Sequence, residues 1–271
     1  MPVGATLMKT NRDLHQEKWI RHFEKNRLNR TEPEWDSPLA MEEKKRRALA
    51  WSLAEYQLGD GGGPCCLIAR DADAYRASSS HTQRVTDMWF REEAEHSRLL
   101  SGAVTRLNGT FVNDTFAFRQ FQRVRRFMGA QFEMLVLLQV EIISTVYYRI
   151  IRKHCGDKPI ADMCGLILRD ESGHVSYHRD RLCQDHPRGW NVWQRAWFYF
   201  LGYACAAVLW LGHGRALRAI GMRNGDFVAQ VHRGLRGFVR SVMRRTAGKN
   251  AGVKALTPNG PARWQPQKSL T

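Results

Sequence analysis

Two short segments, Glu93-Ala94-Glu95-His96 and Glu171-Ser172-Gly173-His174, each place a carboxylate three residues before an imidazole. On a helix that spacing sets both groups on one face about a turn apart, where they can bind one cation. Glu141 stands in the apolar run 134–148, where an unpaired carboxylate is costly to bury. A cation inside a helical bundle needs ligands at one height on facing helices. If the chain turns near Gly156, Glu141 and Glu171 are equidistant from the turn and therefore level. If it also turns near Ser79, the position level with Glu93 falls at Cys65, and the nearest acids are Asp60 and Glu55. Asp60 is preferred, because it stands nearly as far from Glu93 in sequence as Glu141 does from Glu171. It sits in Gly59-Asp60-Gly61-Gly62-Gly63-Pro64, poor helix material that predicts a local kink, with a plain loop as the competing reading.

The elements that must position these groups read as helices. Residues 1–40 are polar, carry Pro33 and Pro38, and show one short amphipathic stretch around 19–23. Over 41–186 apolar residues recur at three and four. Breaks at Ser78-Ser79-Ser80, Asn108-Gly109 and His154–Pro159 divide that region into two helical hairpins joined by 108–124. Residues 187–245 contain the uncharged run 196–212, followed by an Arg-rich amphipathic stretch, and 246–271 read as a basic disordered tail. The expected fold is all-α, a four-helix bundle with extra C-terminal helices.

One acid, Glu-x-x-His, one acid, Glu-x-x-His, on four helices in order resembles the ligand pattern of the ferritin-like di-iron and di-manganese carboxylate proteins. The stretches EYQLGDGGG, REEAEHSRLL and ILRDESGHVSYHRDRL also resemble a group of bacterial ferritin-like domain proteins, mostly of unassigned function, which usually carry Glu at the position of Asp60. The resemblance spans about residues 42–183. It implies two iron ions, or an Fe/Mn pair, held by Asp60, Glu93, His96, Glu141, Glu171 and His174. It also implies that Glu92 and Asp170 accept the free ring N–H groups of His174 and His96. Carboxylate and imidazole donors suit iron or manganese better than a thiolate-demanding metal. The implied activity is oxidation of a small organic or carrier-linked substrate by dioxygen, with electrons from a donor protein. Tyr148, two turns after Glu141, is a candidate redox or hydrogen-bonding neighbour, with core tyrosine as the plainer reading. His178 reads as a satisfied core or supporting residue.

Composition sets the remaining bounds. Of 271 residues, 43% are hydrophobic and 25% charged, which excludes a largely disordered chain. The net charge of +16 points to anionic partners: a phosphorylated or carrier-bound substrate, a phospholipid surface or nucleic acid. Nucleic acid is disfavoured, because no recognised binding motif is present. Arg123, Arg125 and Arg126 with Phe121 and Phe127 offer a docking patch for an acidic carrier or a coenzyme phosphate. The six cysteines form no C-x-x-C pair, and the first residues lack the apolar segment of a secretory signal. A cytoplasmic protein with reduced thiols is expected, with membrane association through 196–212 and a homodimer left open. Iron storage and a basic scaffold are the competing functions.

Overall fold

The computed structural model describes residues 11–28, 30–61 and 66–256. Among them are nine helices and no strand: α1 (Asn11–Leu28), α2 (Glu43–Gly61), α3 (Ala72–Ala77), α4 (Ser80–Arg106), α5 (Phe116–Phe127), α6 (Ala130–His154), α7 (Lys158–Asp185), α8 (Val192–Ala219) and α9 (Asn224–Leu256). Local chemistry starts the long ones. The Ser79 hydroxyl accepts from the Thr82 amide at the head of α4, and Asp157 accepts from the Ile160 amide at the head of α7, with Pro159 in the first turn. Asn191 and Gln194 form a reciprocal capping box on α8.

Helices α2 and α4 pair antiparallel, with Gln57 on Ser97, and so do α6 and α7, with Gln131 on Arg181 and Glu141 on His174. The two pairs close over an apolar core that includes Leu53, Leu99, Leu138, Val146, Met163 and Ile167. Arg106 of α4 ties them together by a buried ion pair to Asp157, 2.7 Å away. Burial of this apolar surface is the main stabilising term.

Several expectations are corrected. The segment before residue 40 is not a bare extension: α1 buries Trp19, Ile20 and Phe23 against α4 and α7. The first hairpin does not turn tightly at Ser79; α2 ends at Gly61, and α3 lies within the connection to α4. Most of the joining segment 108–124 is helix α5. Helix α9 continues to Leu256, so residues 246–256 are helical, while 257–271 of the expected tail lie outside the described residues. Cys65 also lies outside them; Cys66, Cys155, Cys164, Cys183 and Cys205 are free thiols.

Helices α6 and α8 are both long and apolar enough to cross a membrane. Their surroundings differ. In α6, 67% of the apolar window is buried in the protein, against 17% in α8.

Candidate metal centre

The register of each antiparallel pair decides which acids meet. Gln57 donates to Ser97 at 3.1 Å, so Asp60 at the end of α2 is level with Glu93 on α4. A Cβ on Gly61 would lie 2.0 Å from the Ser97 hydroxyl, so glycine is what permits α2 to approach α4 here. Asp60 is therefore held in a helical last turn rather than a loop. Glu55, the competing acid, faces α8, with its carboxylate 4.0 Å from His213 Nδ1.

Two groups of side chains converge between the four helices. Glu93, Glu141, Glu171 and His174 bring one donor atom each within 4.8 Å of one another, and Asp60, Glu93 and His96 do the same. Glu93 is common to both. His174 Nδ1 lies 3.0 Å from Glu93 and 3.1 Å from Glu141, while its Nε2 lies 2.9 Å from Glu92. His96 presents Nδ1 to Glu93 at 3.5 Å and has Nε2 3.2 Å from Asp170. Each imidazole thus turns one nitrogen to the cluster and hands the other to an outer carboxylate, the arrangement that fixes ring orientation in histidine-ligated metal sites.

The protonation pattern reflects how costly this concentration of acids is. Burial and the neighbouring Glu93 push the Asp60 carboxyl well up; burial and Glu141 do the same to Glu171. Burial opposes ionised Glu93 too, yet the neighbouring His174 and His96 imidazoles hold its carboxyl well below the usual range. Both imidazoles are pushed well above 6.5: burial works against their charge, and Asp170 with Glu93, or Glu141 with Glu171 and Glu92, outweighs it. Both imidazoles and the Asp60 and Glu171 carboxyls are thus pushed toward holding a proton. His96 Nδ1 and Glu171 Oε2 are buried and make no hydrogen bond. Carboxylate oxygens, two imidazoles and buried, unspent donor atoms are a set that could hold a metal ion.

The layer around this cluster includes residues without a motif in the sequence. Trp89 Nε1 donates to Glu93 and to Glu141, both at 3.0 Å. Trp89 lies one helical turn before Glu93 on the same face, a spacing that could have marked it. Asn26 of α1 donates to Glu92 at 3.0 Å and to Asp170 at 2.6 Å, and Arg30 pairs with Asp170. Nothing in the polar N-terminal sequence signals those two contacts. Tyr148 is buried with its hydroxyl toward Asp60, and it packs with the stacked pair Tyr56 and Tyr147, whose ring centroids are 4.0 Å apart.

Two further expectations change. His178 is not satisfied: both ring nitrogens are buried without a partner, and burial holds the imidazole neutral beside the edge of Trp89. Arg125 is not available for docking, because it is buried against Glu133 at 2.8 Å and the Cys66 carbonyl at 2.8 Å. Arg123 and Arg126 remain exposed on α5. Comparison of the chain with protein-family profiles, with curated proteins and with solved structures returned no match.

Proposed function

We propose that the chain is a ferritin-like di-iron, or mixed iron–manganese, oxidoreductase that uses dioxygen to oxidise a small organic or carrier-linked substrate. In this reading α2, α4, α6 and α7 form the metal-binding four-helix bundle. One observation carries it: Glu93 belongs to both ligand groups, so the complement of the cluster is a pair of cations rather than one. Glu141, Glu171 and His174 would hold one ion, Asp60 and His96 the other, with Glu93 between them. Once bound, such a pair supplies the electrons and open coordination positions that dioxygen activation needs.

The chain itself holds and shields. Glu92 and Asp170 orient the two imidazoles, Asn26 and Arg30 hold those acids, and Trp89 restrains Glu93 and Glu141. Phe23 of α1, 5.9 Å from the His174 ring, helps exclude water from that side. Electrons would come from a donor protein. The large positive charge and the appended α8 and α9 argue against a storage cage.

Elemental analysis after anaerobic reconstitution with Fe(II) tests the reading. About two irons per chain are expected, with none retained by the Glu141→Ala/Glu171→Ala double variant. Equal trace iron in both would end the proposal, and uptake of many irons per chain would replace it with storage. Oxygen consumption dependent on both reductant and substrate would then identify the substrate class.

A further inference from the structure

Helix α8 is apolar on both faces. One face carries Phe198, Ala206, Leu209 and Leu217 into the core. The opposite face presents Trp193, Trp197, Phe200, Tyr203, Val208 and Leu211 to solvent at steps of three to five residues, with Trp193 80% and Leu211 84% exposed. That stripe is about 27 Å long at the α-helical rise. Exposed apolar stripes of this extent mark interaction surfaces in soluble proteins.

What flanks the stripe identifies its partner. Helix α9 runs antiparallel beside α8, with Phe238 stacked on Phe198 and Phe227 on Trp210. The Tyr203 hydroxyl meets His232 Nδ1 at 2.6 Å, and both residues are exposed, so the two surfaces are continuous. One and two turns beyond His232 on α9 come Arg236 and Arg240, also exposed and level with the aromatic half of α8. Arg215 and Arg218 close the other end of the α8 stripe. Tryptophan and tyrosine with an apolar body and a polar edge, bordered by arginines, match the boundary between acyl chains and headgroups. A second copy of this chain fits poorly, because a symmetric contact would bring two arginine ridges together in molecules that each carry +16.

We propose that the outer face of α8, with the α9 arginine ridge beside it, docks the protein on an anionic phospholipid bilayer. The contact is peripheral. The inner face of α8 is fastened to α6, where Gln139 donates to the Phe198 carbonyl at 3.2 Å, so the stripe lies in the interface and the bundle stays outside. The arginines reach phosphate groups while the aromatic rings enter the acyl boundary.

The test is flotation of the full chain with vesicles of phosphatidylcholine alone and of phosphatidylcholine with phosphatidylglycerol, the latter also made with acyl chains brominated near the headgroup. Binding is expected only to the anionic vesicles, with tryptophan fluorescence quenched by bromine. In Trp193→Ser/Trp197→Ser/Phe200→Ser, bound protein is expected to fall at least tenfold and quenching to disappear. Circular dichroism checks that the variant, altered only at exposed positions, keeps its helices. No binding, binding without bromine quenching, or unchanged binding by the triple variant would each overturn the proposal. So would a stable dimer in equilibrium sedimentation that the same three substitutions convert to monomer.

Discussion

His96 Nε2 lies 3.2 Å from Asp170 Oδ2 across the α4–α7 interface, and Asp170 is fully buried. The same carboxylate receives Asn26 from α1 and Arg30 from just beyond it, so one acid fastens an imidazole and a separate helix at once. Asp170→Asn keeps the shape and removes the charge that orients the ring. Mn(II) affinity measured by isothermal titration should fall roughly 10- to 100-fold, the usual loss when a group supporting a metal ligand is removed. An unchanged affinity would show that His96 is held some other way.

Metal uptake should release protons. His96, His174, Asp60 and Glu171 are all pushed toward retaining a proton above their ordinary ranges, and ligands must shed protons to bind a cation. Titration of the metal-free protein with Mn(II) in buffers of different ionisation enthalpy should report about two or more protons released per chain near pH 7. Apparent affinity should rise with pH. Proton-neutral binding would mean that these side chains are not the ligands.

Gly173 sits between Glu171 and His174 of the cluster, and a Cβ there would lie 2.4 Å from His22 Nε2 on α1. Gly173→Ala should therefore lift α1 and cost about 1–3 kcal/mol in urea unfolding, the usual penalty for overpacking. Shortening the opposing side chain in Gly173→Ala/His22→Ala should recover much of that loss, a coupling that a double-mutant cycle reads directly.

Burial pushes His213 down to about 4 from 6.5. It packs against Tyr56 and Tyr147, accepts or donates at Ser52, and has Glu55 at 4.0 Å. Between those two pH values the unfolded chain binds a proton at this residue that the folded chain refuses. Stability is therefore lost as pH falls from about 6.5 toward 4, by up to about 3 kcal/mol. Thermal melts of the metal-free protein over that window should show a shallower decline in His213→Gln than in the parent. Parallel declines would assign the acid sensitivity to other groups.

The sequence was legible where short-range geometry decides and illegible where tertiary register does. Glu-x-x-His spacing alone paired Glu93 with His96 and Glu171 with His174 on common faces. Glu141 followed from symmetry about Gly156, because the α6–α7 connection is tight and α7 starts at its Asp157 cap. The same symmetry argument misplaced the first pair by several residues. The connection between α2 and α4 includes α3, so the level position is set by Gln57 and Ser97 and not by distance from Ser79. Helix α1 was legible only in part. The amphipathic stretch around 19–23 marks the burial of Trp19, Ile20 and Phe23, whereas the polar contacts of Asn26, and of Arg30 just beyond the helix, on Asp170 are announced by no hydrophobic periodicity.

The clasp between Asn26 and Asp170 joins positions 144 apart in the chain. A ribosome releasing the chain must deliver nearly two-thirds of it before this contact can close. The six clustered side chains are spread from Asp60 to His174, and a fragment ending before α7 lacks Glu171 and His174. Closing the whole cluster consequently requires assembly through α7, and a chain cut before that helix would keep only the Asp60, Glu93 and His96 group.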